Sequence, residues 1–510
     1  MSLREMTDDL NRRKAAARQM GGPAAIARQH EAGKLTARER LDLLFDGGTF
    51  VELGALADHE PRNPQMFGKE TPADGVVTGY GQVDGKTVCC AAYDFTVMAG
   101  SMGEVGERKV ARMRELALRL RAPIVWLLDS SGARIQETAG SQFAGSGDLF
   151  FEQVIMSGVV PQVAAVMGPC AAGTAYIPAL ADVAFMVKST SSMALGGPHL
   201  VKAAIGEDVS AEDLGGSRVH CTISGCADLE AADDEACIRS VREYLGYLTE
   251  PVKPASDPTD RRAEQLYDIV PAEPNKVYDM RKVIGAIVDD GRFMELKGGW
   301  AKSIITALGR MGGRTVGIVA SQPSHRGGVL DVDSADKAAR FVTLCDAYEI
   351  PLVFLVDVPG FLIGSKVEQQ GIIRHGAKML YAVSEATVPK VTVVLRKAYG
   401  AGYFVMCGRA YEADQIYAWP TAEISVMGPE GAAAIIFRKE IEAAEDPAAV
   451  RAERVGMIRE MISPYVAAAG AYVDDVIDPA DTRRLVVAAL SAARGKRVER
   501  PARKHGLWPV

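Results

Sequence analysis

The chain has 510 residues, of which 48% are hydrophobic and 24% are charged, and its formal net charge is -7. This length favours two or more domains, and the balance of apolar and charged residues excludes extensive disorder. The acidic balance argues against a nucleic-acid partner, and the longest apolar runs fall short of the roughly 20 residues that a membrane-spanning helix needs.

The N-terminal region is the first predicted element. Residues 1–10 carry Glu5, Asp8 and Asp9 and lack both the apolar stretch of a secretory signal and the acid-poor composition of a transit peptide, which predicts a cytoplasmic protein. Residues 7–44 are charged and helix-prone, and we expect them to form a docking element. The eight cysteines show no CxxC spacing, so neither a zinc site nor a disulfide framework is indicated.

Two halves of the sequence repeat each other at one constant separation of 228 residues, the distance from Gly81 to Gly309. The segment PIVWLLDSSG, which starts at Pro123, matches PLVFLVDVPG, which starts at Pro351, at five positions. Further identities keep the same order and spacing on both sides of this segment. Self-similarity at one fixed offset indicates that a structural unit is duplicated within the chain.

Each copy combines strand and helix patterns. A short apolar strand ends at an aspartate and a glycine-containing turn, with Asp129 in the first copy and Asp357 in the second. A second apolar strand follows at 163–167 and at 391–395, and helical patterns such as 107–120 lie between strands. This alternation predicts an α/β fold with a mostly parallel sheet in each half.

Prolines accumulate between the two halves and mark a linker. We predict an N-terminal domain at 1–252, a proline-rich linker at 253–275 and a C-terminal domain at 276–510. The prolines of this region are Pro251, Pro254, Pro258, Pro271 and Pro274.

Both second strands run into a cluster of small residues, GPCAAGTAY at 168–176 and KAYGAGY at 397–403. Small side chains let a ligand approach the backbone, and N–H groups at a helix start point outward with partial positive charge. These features are typical of an oxyanion hole, which stabilises the enolate of a thioester. Tight strand-to-helix packing is the alternative explanation. Two such loops at equivalent places favour the functional interpretation.

A third small-residue cluster, DFTVMAGSMG at 94–103, contains Ala99 and Gly100. Its backbone could bind the thioester arm or the adenine end of coenzyme A, and the alternative is a simple helix-entry turn. No P-loop, GxGxxG, HExxH or GxSxG pattern occurs in its proper context, which disfavours nucleotide hydrolysis and hydrolase chemistry. Asp129 and Asp357 could act as bases, but their duplication favours a structural role as caps of the following turns.

Eight segments together resemble the carboxyltransferase subunits of propionyl-CoA carboxylase and related biotin-dependent acyl-CoA carboxylases, over nearly the whole chain. The resemblance implies a crotonase-like fold duplicated within the chain and a homo-hexamer made of three dimers. Each active site would lie between the N-domain of one subunit and the C-domain of its dimer partner. The segments are GKLTARERLDLLFD, DGVVTGYG, SSGARIQE, GPCAAGTAY, LGGSRVH, VDVPGFLIG, KAYGAGY and AWPTAEISVMGPEGAA.

The function that the resemblance implies is the transfer of CO2 from carboxybiotin to the carbon beside a short-chain acyl-CoA thioester. Its oxyanion-hole amides fall on Ala172 and Gly173 in the first half and on Ala401 and Gly402 in the second. The resemblance also implies that Phe404 occupies the position that helps to set acyl selectivity. In the family the proposed base is N1 of biotin itself, and no metal ion is expected on this chain.

The sequence contains no Met-Lys-Met biotinylation motif. We therefore expect a partner, a biotin carboxylase and biotin carboxyl carrier subunit, to carry the biotin and its ATP-dependent carboxylation. One alternative is the reverse use of the same fold, in a sodium-pumping decarboxylase that acts on methylmalonyl-CoA. Alternatives from other classes are a crotonase-type hydratase or isomerase and a non-catalytic CoA-binding scaffold. A hydratase needs a positioned pair of glutamates and only one oxyanion hole, so the duplicated loop disfavours it.

Overall fold

The computed structural model describes residues 1–60, 63–248 and 257–509. The chain forms two compact units, unit 1 at Met1–Gly246 and unit 2 at Tyr247–Val510. Of the predicted linker, residues 253–256 lie outside the described residues, as do Pro251 and Pro254. The predicted domain bounds stay a prediction.

The described part of unit 1 contains one eight-stranded sheet. Its strands are β1 (Val51–Leu53), β2 (Val76–Val83), β3 (Lys86–Tyr93), β4 (Ile124–Ser130), β5 (Gln162–Ala171), β6 (Val183–Val187), β7 (Ser192–Ala194) and β8 (Leu229–Ala231). They follow the order β1-β2-β3-β4-β5-β6-β8, and β7 pairs with β5. The pairs among β1, β2 and β3 are antiparallel, and the later pairs are parallel. The central strands are continuous apolar runs because a parallel sheet is covered on both faces.

Helices cover this sheet and form the N-terminal region of unit 1. They are α1 (Leu3–Ala17), α2 (Pro23–Glu31), α3 (Ala37–Leu44), α4 (Glu104–Leu120), α5 (Ile135–Thr138), α6 (Asp148–Met156), α7 (Tyr176–Leu180), α8 (Pro198–Ile205), α9 (Ala211–Gly215), α10 (Ser217–Thr222) and α11 (Asp234–Tyr247). α4 places Val110, Met113 and Ala117 in the apolar core that the sheet also lines. Apolar side chains spaced three and four residues apart lie on one helix face, which explains this burial.

Unit 2 repeats the architecture, again with an eight-stranded sheet in its described residues. Its strands are β9 (Phe293–Leu296), β10 (Ile304–Met311), β11 (Arg314–Ser321), β12 (Leu352–Val358), β13 (Lys390–Tyr399), β14 (Gln415–Ala418), β15 (Glu423–Ser425) and β16 (Asp475–Val476). Their order is β16-β14-β13-β12-β11-β10-β9, and β15 pairs with β13.

The helices of unit 2 pack around its own buried core. They are α12 (Leu266–Ile269), α13 (Met280–Ile287), α14 (Val332–Ala347), α15 (Ser365–Gln369), α16 (Ile372–Glu385), α17 (Gly400–Val405), α18 (Pro429–Ile436), α19 (Arg438–Ala443), α20 (Pro447–Met461), α21 (Pro464–Ala469) and α22 (Thr482–Ala492).

The duplication extends to strand register. Val125 pairs with Val163 in unit 1, and their equivalents at the 228-residue offset, Val353 and Val391, pair in unit 2. A bulge then interrupts both pairs of strands at equivalent places. Two α/β units with largely parallel sheets confirm the predicted fold class.

The N-terminal helices differ in how they are used. α1 has no buried residue, whereas α3 buries Arg40, Leu41 and Leu44, and Lys34 just before it is also buried. These four side chains belong to the packed interior of unit 1, whereas His30, Asp42 and Leu43 are exposed. The docking role of residues 7–44 stays a prediction. None of the helices in the described residues has both the length and the apolar character required to cross a membrane.

Candidate active site

The first small-residue loop begins where β5 ends. One 3-10 turn, Ala172–Ala175, connects the strand to α7. Ala172 is exposed and adopts a left-handed backbone, with φ of 55°. The first N–H groups of a helical turn have no acceptor inside that turn. The amides of Ala172 and Gly173 therefore sit where an external oxygen could accept from them.

The second small-residue loop begins where β13 ends, and here the chain enters α17 directly. Gly400 takes the left-handed conformation, with φ of 56°, and Ala401 is exposed. Gly402 is buried, and a Cβ atom there would lie 3.0 Å from Cγ2 of Val358 and 3.1 Å from Cα of Gly360. The close packing explains the glycine, and Ala401 and Gly402 lie in the first turn of the helix.

The two loops occupy equivalent places in the two halves, but the two predicted donor pairs do not align residue for residue. At the 228-residue offset, Ala172 corresponds to Gly400 and Gly173 to Ala401, and both first members are left-handed. The predicted pair Ala401 and Gly402 thus lies one residue further along its helix than Ala172 and Gly173 do. The structure places all four residues at strand-to-helix turns, and their roles as donors stay a prediction.

Ala99 and Gly100 lie near the first loop within unit 1. The Ser131 amide, in the turn after β4, donates to the Ala99 carbonyl at 3.0 Å. In the same turn, a Cβ atom on Gly132 would lie 2.9 Å from the carbonyl oxygen of Ala171. The turn after β4 therefore connects the loop of Ala99 with the end of β5. Three backbone segments therefore meet here in close contact.

A comparison of the whole sequence with known families gives a match to the carboxyl transferase domain over residues 28–508. The chain belongs to the carboxyl transferase family. It is similar to the methylmalonyl-CoA decarboxylase subunit alpha of Propionigenium modestum, with 47% identity over 98% of each chain. It is also similar to the propionyl-CoA carboxylase carboxyltransferase subunit of Haloferax mediterranei, with 45% identity over 100% of both chains.

Among solved structures, this carboxyl transferase is similar to transcarboxylase 12S crystallised with methylmalonyl-coenzyme A and methylmalonic acid. The TM-score is 0.96 and the identity 49%, over 100% of this chain and 99% of that chain. The predicted duplicated crotonase-like fold is confirmed by this likeness. The predicted enzyme class, a biotin-dependent acyl-CoA carboxyltransferase, is confirmed by the family match and the relatives.

Substitution of Gly100 tests how tightly the loop of Ala99 and Gly100 packs in this carboxyl transferase. The residue has φ of 62°, and a Cβ atom there would collide with the carbonyl oxygen of Asp129. Gly85 also has a positive φ, of 77°, but a Cβ atom there would have no neighbour within 4 Å. We expect Gly100→Ala to lower the free energy of unfolding by about 1 to 3 kcal/mol more than Gly85→Ala, since overpacking adds to the shared backbone cost. Chemical denaturation of both variants measures the difference, and equal losses would contradict the packing.

Asp129 and Asp357 are fully buried and ion-paired. Asp129 accepts from Lys34 at 3.0 Å and from Arg40 at 3.1 Å. Asp357 accepts from Arg396 at 2.8 Å. Their structural role is therefore an ionic anchor for distant segments, rather than the turn cap that the sequence predicts. With both carboxylates held by cations, neither is placed to act as a general base.

The two halves neutralise their buried aspartates differently. Arg396 lies on β13 and reaches Asp357 directly. Its equivalent on β5 is Gly168, where any Cβ atom would collide with the Asp129 carboxylate. The glycine of the GPCAAGTAY segment thus makes room for the aspartate, and the cations come from the N-terminal region instead.

A duplicated lysine was not assigned a role from sequence. Lys109 Nζ donates to the carbonyls of Ala73 and Val76, at 2.6 and 2.5 Å. Its equivalent, Lys337, donates to the Ile304 carbonyl at 2.8 Å and to carbonyls of the preceding turn. Burial lowers the pKa of Lys109 to about 8. Since backbone carbonyls hold its ammonium group, we interpret both lysines as structural, and their identity at the 228-residue offset was the available sequence signal.

Tyr399 anchors the backbone directly before the second loop. Its ring is buried at the end of β13, and its hydroxyl donates a short hydrogen bond to Glu423 on β15. Arg459 lies 3.4 Å from the same carboxylate. Burial raises the pKa of Tyr399 well above its ordinary value, and the bond to Glu423 adds to this shift. The tyrosine therefore remains a neutral donor that ties the start of α17 to its neighbours.

Within the ranges 1–60, 63–248 and 257–509, no group of three or more His, Cys, Asp or Glu side chains is arranged to hold a metal ion. The absence of a metal cofactor stays a prediction, as does a cytoplasmic location.

Proposed function

We propose that this carboxyl transferase moves CO2 between N1 of biotin, carried on a partner subunit, and the α-carbon of a short-chain acyl-CoA of the propionyl type. The observation that carries the proposal is the pair of strand-to-helix turns, one in each half, with small residues and first-turn amides. A reaction that joins two carbonyl-bearing substrates needs two such donor sets. Ala172 and Gly173 form one set, and Ala401 and Gly402 form the other.

In this proposal the chain stabilises the negative charge that develops on the substrate oxygens, and none of its side chains transfers a proton. Bound biotin would supply the carboxyl group on its ureido nitrogen and take up the proton that leaves the α-carbon. One amide pair binds the thioester oxygen as negative charge develops, and the other binds the ureido oxygen. In this exchange the N1–carboxyl bond and one α-carbon–hydrogen bond would break, while an α-carbon–carboxyl bond and an N1–hydrogen bond would form, so atoms and charge balance. The buried, ion-paired state of Asp129 and Asp357 supports a mechanism without a carboxylate base.

The direction of the reaction is proposed as carboxylation, with biotin carboxylase and biotin carboxyl carrier functions on the partner. A second candidate is the decarboxylase direction, which the similarity to the Propionigenium modestum subunit favours. The test is to incubate the chain with its biotinylated partner, ATP, bicarbonate and a panel of acyl-CoAs. Product formation that requires both ATP and the partner supports the proposal. If the chain alone fixed bicarbonate with ATP, the partner assignment would be refuted.

Exposed apolar side chains support self-association into a homo-hexamer of three dimers, with sites that combine opposite halves of two subunits. In unit 1 they include Phe151, Leu200 and Ile205, and in unit 2 they include Ile373 and Ile435. Large exposed apolar side chains on soluble proteins mark interaction sites. Light scattering should give a mass near six times the 54.4 kDa of one chain. A fully active monomer would contradict this assembly.

Phe404 is proposed to set acyl selectivity. Its side chain is 45% exposed, which supports a place at a pocket wall rather than in the core of unit 2. It lines a pocket of about 330 Å³ together with Tyr403 and Tyr472. We expect Phe404→Ala to shift the ratio of kcat/KM between short and longer acyl-CoAs about tenfold, since one methylene of pocket fit is worth roughly 1 to 3 kcal/mol. Phe67, also exposed, provides the matched control in Phe67→Ala. An unchanged acyl-CoA ranking in Phe404→Ala would refute the role of Phe404 in acyl selectivity.

A further inference from the structure

A buried ion cluster lies beside the first site and has no role in the chemistry above. It consists of Arg134, Asp74 and Glu137, and we call it the Arg134 cluster. The side chains of Arg134 and Asp74 are 0% exposed and that of Glu137 is 2% exposed. Arg134 Nη1 pairs with Asp74 through a short contact and with Glu137 at 3.1 Å. Buried charges of this kind persist only with close partners.

The cluster fixes the loop that carries Ala99 and Gly100. Arg134 donates to the Ser101 carbonyl at 3.1 Å and to the Ser101 hydroxyl at 3.3 Å. A Cβ atom on Gly103 would collide with the guanidinium, so the loop closes directly over it.

Both acids of the cluster also bind the start of α4. Glu137 accepts from the amide of Glu104 at 2.7 Å, and Asp74 accepts from the amide of Gly106 at 2.6 Å. These are first-turn amides, which have no acceptor within the helix. The cluster therefore ties together the turn after β4, the loop of Ala99 and the entry of α4.

The backbone that the cluster holds is strained. Ala73, Asp74, Met98 and Ala99 all adopt left-handed φ, of 53°, 48°, 45° and 54°. Side chains with a Cβ atom avoid this region, and such residues persist where surrounding contacts impose them. Strain of this kind concentrates at ligand-binding positions.

The second half builds the same loop without the cluster. The equivalents of Asp74, Arg134 and Glu137 are Lys302, Leu362 and Ser365, which cannot form it. The backbone bond from Arg134 to Met102, at 2.9 Å, nevertheless recurs from Leu362 to Leu330, at 2.7 Å. The equivalent of Ala99 is Gly327, which adopts left-handed φ without strain. The equivalents of Ala73 and Met98, Ala301 and Arg326, are left-handed as well, with φ of 46° and 50°. The fold of the loop therefore does not require the charges, and they serve something particular to the first half.

We propose that Arg134, held by Asp74 and Glu137, is a positioning residue that fixes the Ala99 and Gly100 backbone in the conformation that binds the thioester arm of acyl-CoA. This inference rests on the proposed function. The amide groups of that arm need backbone partners at fixed positions, and Arg134 acts on them through the loop rather than by contact.

The test compares two KM values in the ATP-free reaction of methylmalonyl-CoA with free biotin. The triple variant Arg134→Met, Asp74→Asn, Glu137→Gln removes all three charges together and so leaves no unpaired buried ion. We expect its KM for methylmalonyl-CoA to rise about tenfold, while its KM for biotin stays within about twofold. Glu137→Gln alone keeps the pair of Arg134 and Asp74, and should raise the KM for methylmalonyl-CoA by about threefold. It provides the decisive measurement if the triple variant does not fold.

The matched control is the double variant Arg483→Met, Asp289→Asn. This pair in unit 2 is also buried, with 2.7 Å between its charged groups, and lies outside the predicted loops. We expect it to lower stability without changing either KM. Unchanged KM values in the folded cluster variants, equal rises in both, or the same rise in the control would overturn the inference. If the wild-type chain transfers no carboxyl group to biotin, it is the proposed function that fails.

Discussion

Ala401→Pro is expected to lower kcat by about 10² to 10³ while leaving the fold intact. The amide of Ala401 lies in the first turn of α17, where proline is tolerated because no intrahelical hydrogen bond is lost. If this amide stabilises charge in the transition state, its removal costs roughly 2.7 to 4 kcal/mol of barrier. Steady-state kinetics of the purified variant give kcat, and thermal unfolding reports on the fold.

The control for this variant is Ala211→Pro. Ala211 is the first residue of α9, is exposed and lies outside the predicted loops, so its proline should change neither kcat nor stability. If Ala401→Pro retained wild-type kcat, the assignment of this amide would be incorrect. A loss of kcat accompanied by unfolding would point to packing as the role of the second loop.

The other large effect is expected from Asp129→Asn, which should lower the free energy of unfolding by about 3 to 5 kcal/mol. The substitution removes the negative charge that Lys34 and Arg40 share while leaving both cations buried. Arg40 keeps Asp234 as a partner at 2.7 Å, so the uncompensated charge is that of Lys34. Loss of one partner of a buried ion pair has this magnitude because the remaining charge is uncompensated. Chemical denaturation measures the change.

Asp9→Asn serves as the control for Asp129→Asn. Asp9 pairs with Arg12 and Arg13 on the surface of α1, where solvent screens the charges. We expect no measurable change in unfolding for this variant. If Asp129→Asn were as mild as Asp9→Asn, the ionic anchor described for unit 1 would not contribute to stability.

Local patterns were sufficient to predict the strands, the duplication and the small-residue loops. Apolar runs that end at Asp129 and Asp357 identify β4 and β12 because strand periodicity and turn residues are local properties. The constant 228-residue offset carried this prediction from one half to the other. The clusters at Ala172 and Ala401 were found at strand-to-helix turns for the same reason.

Contacts between distant segments could not be predicted. The partners of Asp129 are Lys34 and Arg40, which lie about ninety residues earlier in a region that we expected to dock elsewhere. The Arg134 cluster joins residues sixty positions apart, and no periodic pattern connects them. One signal was present: the SSGARIQE segment places Arg134 and Glu137 three residues apart, a spacing at which helical side chains can pair.

The most direct test of the central claim follows labelled carbon between the two substrates. The purified chain is mixed with methylmalonyl-CoA that is labelled with carbon-14 in its free carboxyl group, a biotinylated carrier protein and no ATP. Transfer of CO2 between the α-carbon and biotin predicts labelled carrier and an equal amount of unlabelled propionyl-CoA. If the label stayed on methylmalonyl-CoA, or left as free CO2 at a rate that did not depend on the carrier, the chain would not be the transferase described above.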